Sequence, residues 1–328
     1  MQINRKDFIK AAAGVAASTT LPAAGLASAA AAQGTDMQAT KAENGEPKRG
    51  VSLYSYSGEF GMTMTMEDCF ADMYDMGATG LEILANGHVP RYPDPTEEWL
   101  EEWTAQLRKY EIVPVEYGHW VDSRLHPGRE LTTRESYDSL VRDIKLASKL
   151  GFTVMRTKLG VMDEILTPVA NWQEFIEMAL PVAEEHDVRM CPELHQPTEL
   201  KSEIVDEYVE FIERTGTRHF GLNIDFGVFQ TSDRLQIPGM DNEPSAPEDM
   251  IPLLPYTYAC HAKFTHVNDD LVETTHPYEE IMKILVEHEW SGYLLSEYEG
   301  PKDDIGHASD QLRRQHVMMK RLLGEIRA

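Results

Sequence analysis

From Gly50 onward, two hydrophobic periods alternate along the chain. Short apolar runs of strand length are separated by longer stretches in which apolar positions recur every three to four residues, the spacing of one helix face. The runs predict strands over 51–57, 78–84, 112–117, 152–157, 188–193, 219–225, 257–264 and 292–297. The longer stretches predict helices over 66–76, 97–109, 132–150, 172–186, 203–214 and 311–323, a short one at 250–254, and one opening at Pro277 with Ile281, Ile284 and Leu285 on its apolar face. Local signals agree: Thr65 and Asp68 are placed as a capping box, and Gly77 and Gly151 follow helix ends. Pro181 falls inside the fourth helix and is expected to kink it.

Eight strands alternating with eight helical segments predict an α/β fold of the (β/α)8, or TIM-barrel, kind. A doubly wound open sheet competes with it, but no Gly-rich phosphate loop follows the first strand. In such a barrel the C-terminal strand ends share one mouth. The fifth run ends Cys191-Pro192-Glu193-Leu194-His195, and residues two apart on a strand point the same way, so Glu193 and His195 share a face. Three later strands end comparably, at Asp225, at His261-Ala262-Lys263 and at Glu297-Tyr298-Glu299. Singly, the acids read as helix caps or salt-bridge partners and His261 as a core histidine. As a set in register, Glu193, Asp225, His261 and Glu297 are predicted to hold a divalent metal.

Three carboxylates and one imidazole form a hard donor set, suited to Mn²⁺ first or Mg²⁺, with Co²⁺ and Zn²⁺ compatible. Such an ion can polarise a sugar carbonyl and its neighbouring hydroxyl, acidifying the adjacent C–H and stabilising the enediolate. Isomerisation, epimerisation and elimination β to the carbonyl all follow from that step. His195 is the candidate base, and Lys263 the candidate holder of the developing oxyanion, unless it only bridges Glu297 or Glu299. Glu82, His119, Lys158 and Glu299 are placed at the mouth as substrate-hydroxyl contacts, against the plainer reading of solvated loop residues. Tyr54, Tyr56, Phe226 and Phe229 read as core before they read as a sugar-binding wall.

A net charge of −25 argues against nucleic acid or an anionic membrane as partner. The three cysteines, Cys69, Cys191 and Cys260, fit neither a zinc knuckle nor a disulfide framework and read as buried thiols. At the N-terminus, Arg5-Lys6-Asp7-Phe8-Ile9-Lys10 precedes a mildly apolar alanine-rich run and then Ala27-Ser28-Ala29, a small-x-small processing site. This resembles a twin-arginine export signal, with Lys6 in place of the second arginine and Asn4 in place of the usual hydroxyl residue. The run is too short and alanine-rich for stable membrane insertion. The expected organisation is an export signal over 1–32, a flexible linker over 33–49 and a catalytic barrel over 50–328, with a periplasmic or otherwise extracytoplasmic destination.

The Glu193/His195 ending, the strand closing at Asp225, His261-Ala262-Lys263 and Ser296-Glu297-Tyr298-Glu299-Gly300 resemble the metal-ligand pattern of the xylose isomerase-like TIM-barrel superfamily of sugar phosphate isomerases and epimerases. Within it, Ile224-Asp225-Phe226-Gly227-Val228-Phe229, His261-Ala262-Lys263-Phe264 and the Glu297-to-Gly300 ending are most similar to the α subunits of C-glycoside deglycosidases. That resemblance implies Mn²⁺, a 3-keto-glycoside substrate cleaved to release its aglycone, and a small partner subunit, with self-association the other expected assembly. Val228 stands where the ketose 3-epimerase branch carries a histidine. The alternatives are a sugar isomerase or epimerase using the same ligands, and an exported non-catalytic sugar-binding module.

Overall fold

The computed structural model describes residues 46–119, 129, 131–159, 168–232, 234, 242–302 and 305–325. The chain divides into two units, Met1–Asn44 and Gly45–Ala328, and the described residues belong to the second. The predicted export signal therefore lies outside the described residues, as does most of the linker.

The sheet is wholly parallel. Its strands are β1 (Lys48–Ser52), β2 (Gly80–Leu84), β3 (Val113–His119), β4 (Val154–Thr157), β5 in two pieces (Arg189–Cys191 and Glu193–Leu194), β6 (Leu222–Asp225), β7 (Thr257–Phe264) and β8 (Tyr293–Tyr298). Each pairs with its sequence neighbours, and β1 pairs with β8. Pro192 has no N–H to donate and splits β5, so nine hydrogen-bonded segments make eight strands. The first piece pairs with β4 and the second with β6. Met190 and Pro192 also bond across to the segment entering β6, which closes the ring.

Around it stand α1 (Met66–Asp75), α2 (Glu97–Lys109), α3 (Thr133–Leu150), α4 (Trp172–Glu185), α5 (Glu203–Thr215), α6 (Tyr278–Glu287) and α7 (His307–Glu325). The capping box of Thr65 and Asp68 is formed, and Gly151 ends α3 with a left-handed φ of 90°. Helix α4 runs unbroken past Pro181. Between β6 and β7 the expected short α-helix is instead a 3₁₀ segment, Pro247–Tyr256, because Pro252 and Pro255 inside it lack the N–H groups an α-helix would need.

The first strand also departs from expectation. It begins at Lys48, inside the predicted linker, and stops at Ser52, whose hydroxyl accepts from the Tyr54 N–H as the chain turns into a 3₁₀ segment, Leu53–Tyr56. Charged residues extend this strand because both are covered: Lys48 lies over the Tyr293 ring and Arg49 donates to the carbonyls of Gly77 and His316.

The main core fills the space between ring and helices, with Phe70, Trp103, Phe175, Phe220, Phe264 and Leu312 buried there. Inside the ring the apolar layer is thin: Val115, Ala259 and Leu295, against Tyr293. Above that floor the interior is charged. Among the described residues no helix is long and apolar enough to cross a membrane.

Candidate metal centre

Alternation along the strands builds the site in layers. On β7, Ala259, His261 and Lys263 face inward, while Cys260, Ala262 and Phe264 face the helices. On β8, Leu295 and Glu297 face inward, and Glu299 follows at the rim, while Ser296 turns outward to bond His316 on α7. His261 thus follows Ala259 on the inner face, paired in register with Leu295, and Glu297 is paired with Lys263.

The structure brings the four proposed ligands together. One donor atom from each of Glu193, Asp225, His261 and Glu297 lies within 4.8 Å of all the others. His261 Nδ1 is 3.1 Å from Glu193 Oε1, 3.7 Å from Asp225 Oδ2 and 3.6 Å from Glu297 Oε2. One Asp225 oxygen, Oδ1, accepts the Gly227 N–H at 2.6 Å, which aims Oδ2 into the cluster. Asp225 Oδ2 and Glu297 Oε2 are buried without a hydrogen-bond partner.

Beneath them lies a second charged layer that sequence reasoning largely missed. Imidazole Nε2 of His261 is 3.5 Å from Glu82 Oε2 and 3.6 Å from Glu116 Oε2. Arg156, on β4, donates from Nε to Glu82 and from Nη1 to Glu193, at 2.9 and 2.8 Å. Asn223 donates to the other Glu116 oxygen. Glu82 was expected to meet substrate at the mouth. It is instead fully buried in this layer, paired with Arg156.

At the rim, Lys263 Nζ stands 2.8 Å from His195 Nε2 and 3.5 Å from each of Asp225, Glu297 and Glu299. The other His195 nitrogen, Nδ1, donates to the Gln196 carbonyl, so Nε2 is the lone-pair side facing Lys263. Lys158 Nζ lies 3.2 Å from Glu193 Oε2, and Glu299 accepts from the Tyr54 hydroxyl. The expected candidates His195, Lys263, Lys158 and Glu299 are therefore all near the cluster. His119 is not. The β2–β3 register shifts by one residue between Leu81/Pro114 and Glu82/Glu116, which turns Glu116 inward and sends Tyr117 and His119 outward to Asp143 on α3. Tyr56, Phe226 and Phe229 are fully buried, as the core reading had them.

The electrostatics follow from burial and close charge. Burial pushes the Glu193 carboxyl up, but Arg156, Lys158 and His261 beside it hold it well below the usual carboxylate range. Glu297 is held down in the same way, against burial, by Lys263 and His261. For Glu116 burial dominates and its proton is retained more tightly. Burial lowers His195, and Lys263 lowers it further, favouring a neutral imidazole. Burial also opposes charge on His261, yet Glu82, Asp225 and Glu116 raise its affinity for a proton well above normal. A field that draws a proton to that point draws any cation there.

These residues fit a divalent ion. Six buried or half-buried carboxylates (Glu82, Glu116, Glu193, Asp225, Glu297, Glu299) surround three fixed cations (Arg156, Lys158, Lys263), and Glu82 Oε2, Glu116 Oε2, Asp225 Oδ2 and Glu297 Oε2 are buried without a hydrogen-bond partner. The donors are the hard oxygen and imidazole groups that Mn²⁺ and Mg²⁺ accept.

A closed parallel barrel whose C-terminal mouth gathers three acids and an imidazole defines the class: a TIM-barrel protein with a candidate metal centre. The model of the xylose isomerase-like TIM barrel matches residues 70–320, and the chain belongs to that family. It is 22% identical to the C-glycoside deglycosidase alpha subunit of Arthrobacter globiformis, over 84% of this chain and 92% of that protein. It is also 22% identical to the 3'-dehydrocarminate deglycosidase alpha subunit of a Microbacterium species, over 86% of this chain and 97% of that protein. Among solved structures, D-psicose 3-epimerase in the presence of D-fructose matches with a TM-score of 0.61 at 16% identity, covering 84% of this chain and 99% of that one.

Proposed function

We propose that this chain is a divalent-metal-dependent lyase that releases the aglycone from a 3-keto-glycoside. The observation that carries the reading is the His195–Lys263 pair, 2.8 Å apart, with Lys263 reaching two of the four clustered ligands. The names of the two deglycosidase relatives support the substrate class. An ion at the centre, Mn²⁺ before Mg²⁺, would supply Lewis acidity toward the C3 carbonyl and a neighbouring hydroxyl.

The residues do the rest. When oxyanion character develops at C3, the Lys263 ammonium turns to it and frees His195 Nε2. That nitrogen takes the C2 proton and the C–H electron pair forms the C2–C3 double bond of an enolate; as the C3 carbonyl re-forms, that pair becomes the C1–C2 double bond and the C1–aglycone bond breaks. The aglycone leaves with the pair from that bond and then takes up one proton, so charge balances. Asp225, Glu297 and Glu299, each 3.5 Å away, hold the Lys263 proton against burial.

The test is incubation with a 3-keto-glycoside of a phenolic aglycone in D₂O. Metal-dependent release of free phenol is expected. Deuterium at C2 without release indicates the isomerase or epimerase instead, and neither result, with the sugar still bound, indicates a binding module. Relatives named as alpha subunits support a small second chain, checked by co-purification from the native host. The Arg5-Lys6 segment and Ala27-Ser28-Ala29 support export. Mature protein in the cytoplasmic fraction with an intact N-terminus would contradict it.

A further inference from the structure

We propose that Arg156 sets the centre's choice of ion by restricting Glu193 to a single ligating oxygen. The inference rests on the metal-dependent reading above but not on the identity of the sugar. Arg156 sits mid-strand in Val154-Met155-Arg156-Thr157, with its side chain 7% exposed. Its fork engages two acids in different directions, Nε on Glu82 Oε1 and Nη1 on Glu193 Oε2. A lysine at that place has one nitrogen and no fixed plane.

The consequence falls on Glu193. Its Oε2 receives both Arg156 and Lys158, which leaves Oε1, the atom 3.1 Å from His261 Nδ1. Asp225 is restricted in the same manner by the Gly227 N–H on Oδ1. Two of the three acids therefore present one oxygen each. Calcium takes six to eight oxygens and often both oxygens of a carboxylate, whereas small octahedral ions are content with single oxygens and water. The layer beneath the centre thus discriminates against calcium by tying up the oxygens calcium would use.

The experiment is competition of Mn²⁺ and of Ca²⁺ against a fluorescent chelator on metal-stripped full-length protein, which reads the ratio of the two dissociation constants. Wild type is expected to prefer Mn²⁺. Arg156→Lys and Arg156→Gln are expected to narrow the preference by about tenfold or more, within the 10–100-fold range typical of residues that orient ligands. Lys158→Met, which leaves Arg156 on Glu193, is expected to keep the ratio within about threefold. Equal weakening toward both ions in the Arg156 variants would show a role in folding or net charge alone and overturn the inference. Should those variants fail to fold, Glu82→Gln, which loosens one anchor of the fork, decides: a narrowed ratio supports the inference and an unchanged one overturns it. Wild type that binds neither ion refutes the metal reading itself, an outcome separate from a ratio that does not move.

Discussion

Replacing Gly227 with alanine should disable the centre while leaving the barrel standing. The backbone at Gly227 is not left-handed, so alanine suits its conformation and only space is at issue. An added Cβ would lie 2.5 Å from Asp225 Oδ1 and 3.0 Å from the Lys263 side chain. An ordinary contact is roughly 3.5 Å, so the carboxylate must retreat by about 1 Å. It would then lose the Gly227 N–H that now meets it at 2.6 Å. A hydrogen bond to a charged group contributes about 1.5–3 kcal/mol, equivalent to roughly 10–100-fold in affinity at about 1.4 kcal/mol per tenfold. Titration of metal-stripped wild type and Gly227→Ala with Mn²⁺ should show that loss, and thermal melts without metal would reveal any general damage. Equal affinities, within about twofold, would refute the claim that this one amide aims Asp225.

Asp225→Ala should remove bound metal altogether, as measured by elemental analysis of the purified protein, and turnover with it. Lys263→Met and His195→Ala should keep the metal yet lower kcat by roughly 10²–10⁴, the usual contribution of a positioned oxyanion donor or proton-transfer group. Metal lost in either variant would assign that residue to holding the centre. Burial drives the imidazoles of His88 and His119 down to about 4 and that of His316 to about 3. Below the ordinary value near 6.5 the unfolded chain takes up protons that these folded sites refuse. Stability should therefore fall as pH drops from about 6.5 toward 4, by up to about 1.4 kcal/mol per unit per histidine. A melting temperature flat from pH 7 to 5 would contradict this; the depressed carboxyls Glu193 and Glu297 lose their contribution only at lower pH.

The four ligands were legible because each lies at or near the C-terminal end of an apolar run, where period-two alternation and strand direction together say which way a side chain points. Their supports were not. Glu116 and Arg156 lie inside strands, among Val115, Tyr117, Met155 and Thr157, where a lone charge carries no direction. A cue existed in the opposite signs of Glu82, Glu116 and Arg156 on neighbouring strands, since buried charges demand partners. His119 was misplaced because a bulge resets alternation, and a bulge leaves no mark in the period of so short a strand. The start of β1 escaped notice because Lys48 and Arg49 are charged, and only the folded neighbours Tyr293 and His316 explain how they are accommodated.

The break at Pro192 divides the ring unevenly. The β4–β5 ladder ends at Arg156 and Cys191, so the piece of β5 that carries Glu193 is laced only to β6. Glu193, Asp225, His261 and Glu297 consequently ride on four successive laced strands, like fingers of one hand. Arg156 and Lys158 reach Glu193 from the opposite side of that parting. Widening the hoop there would stretch those two grips first and leave the spacing of the four fingers as it was.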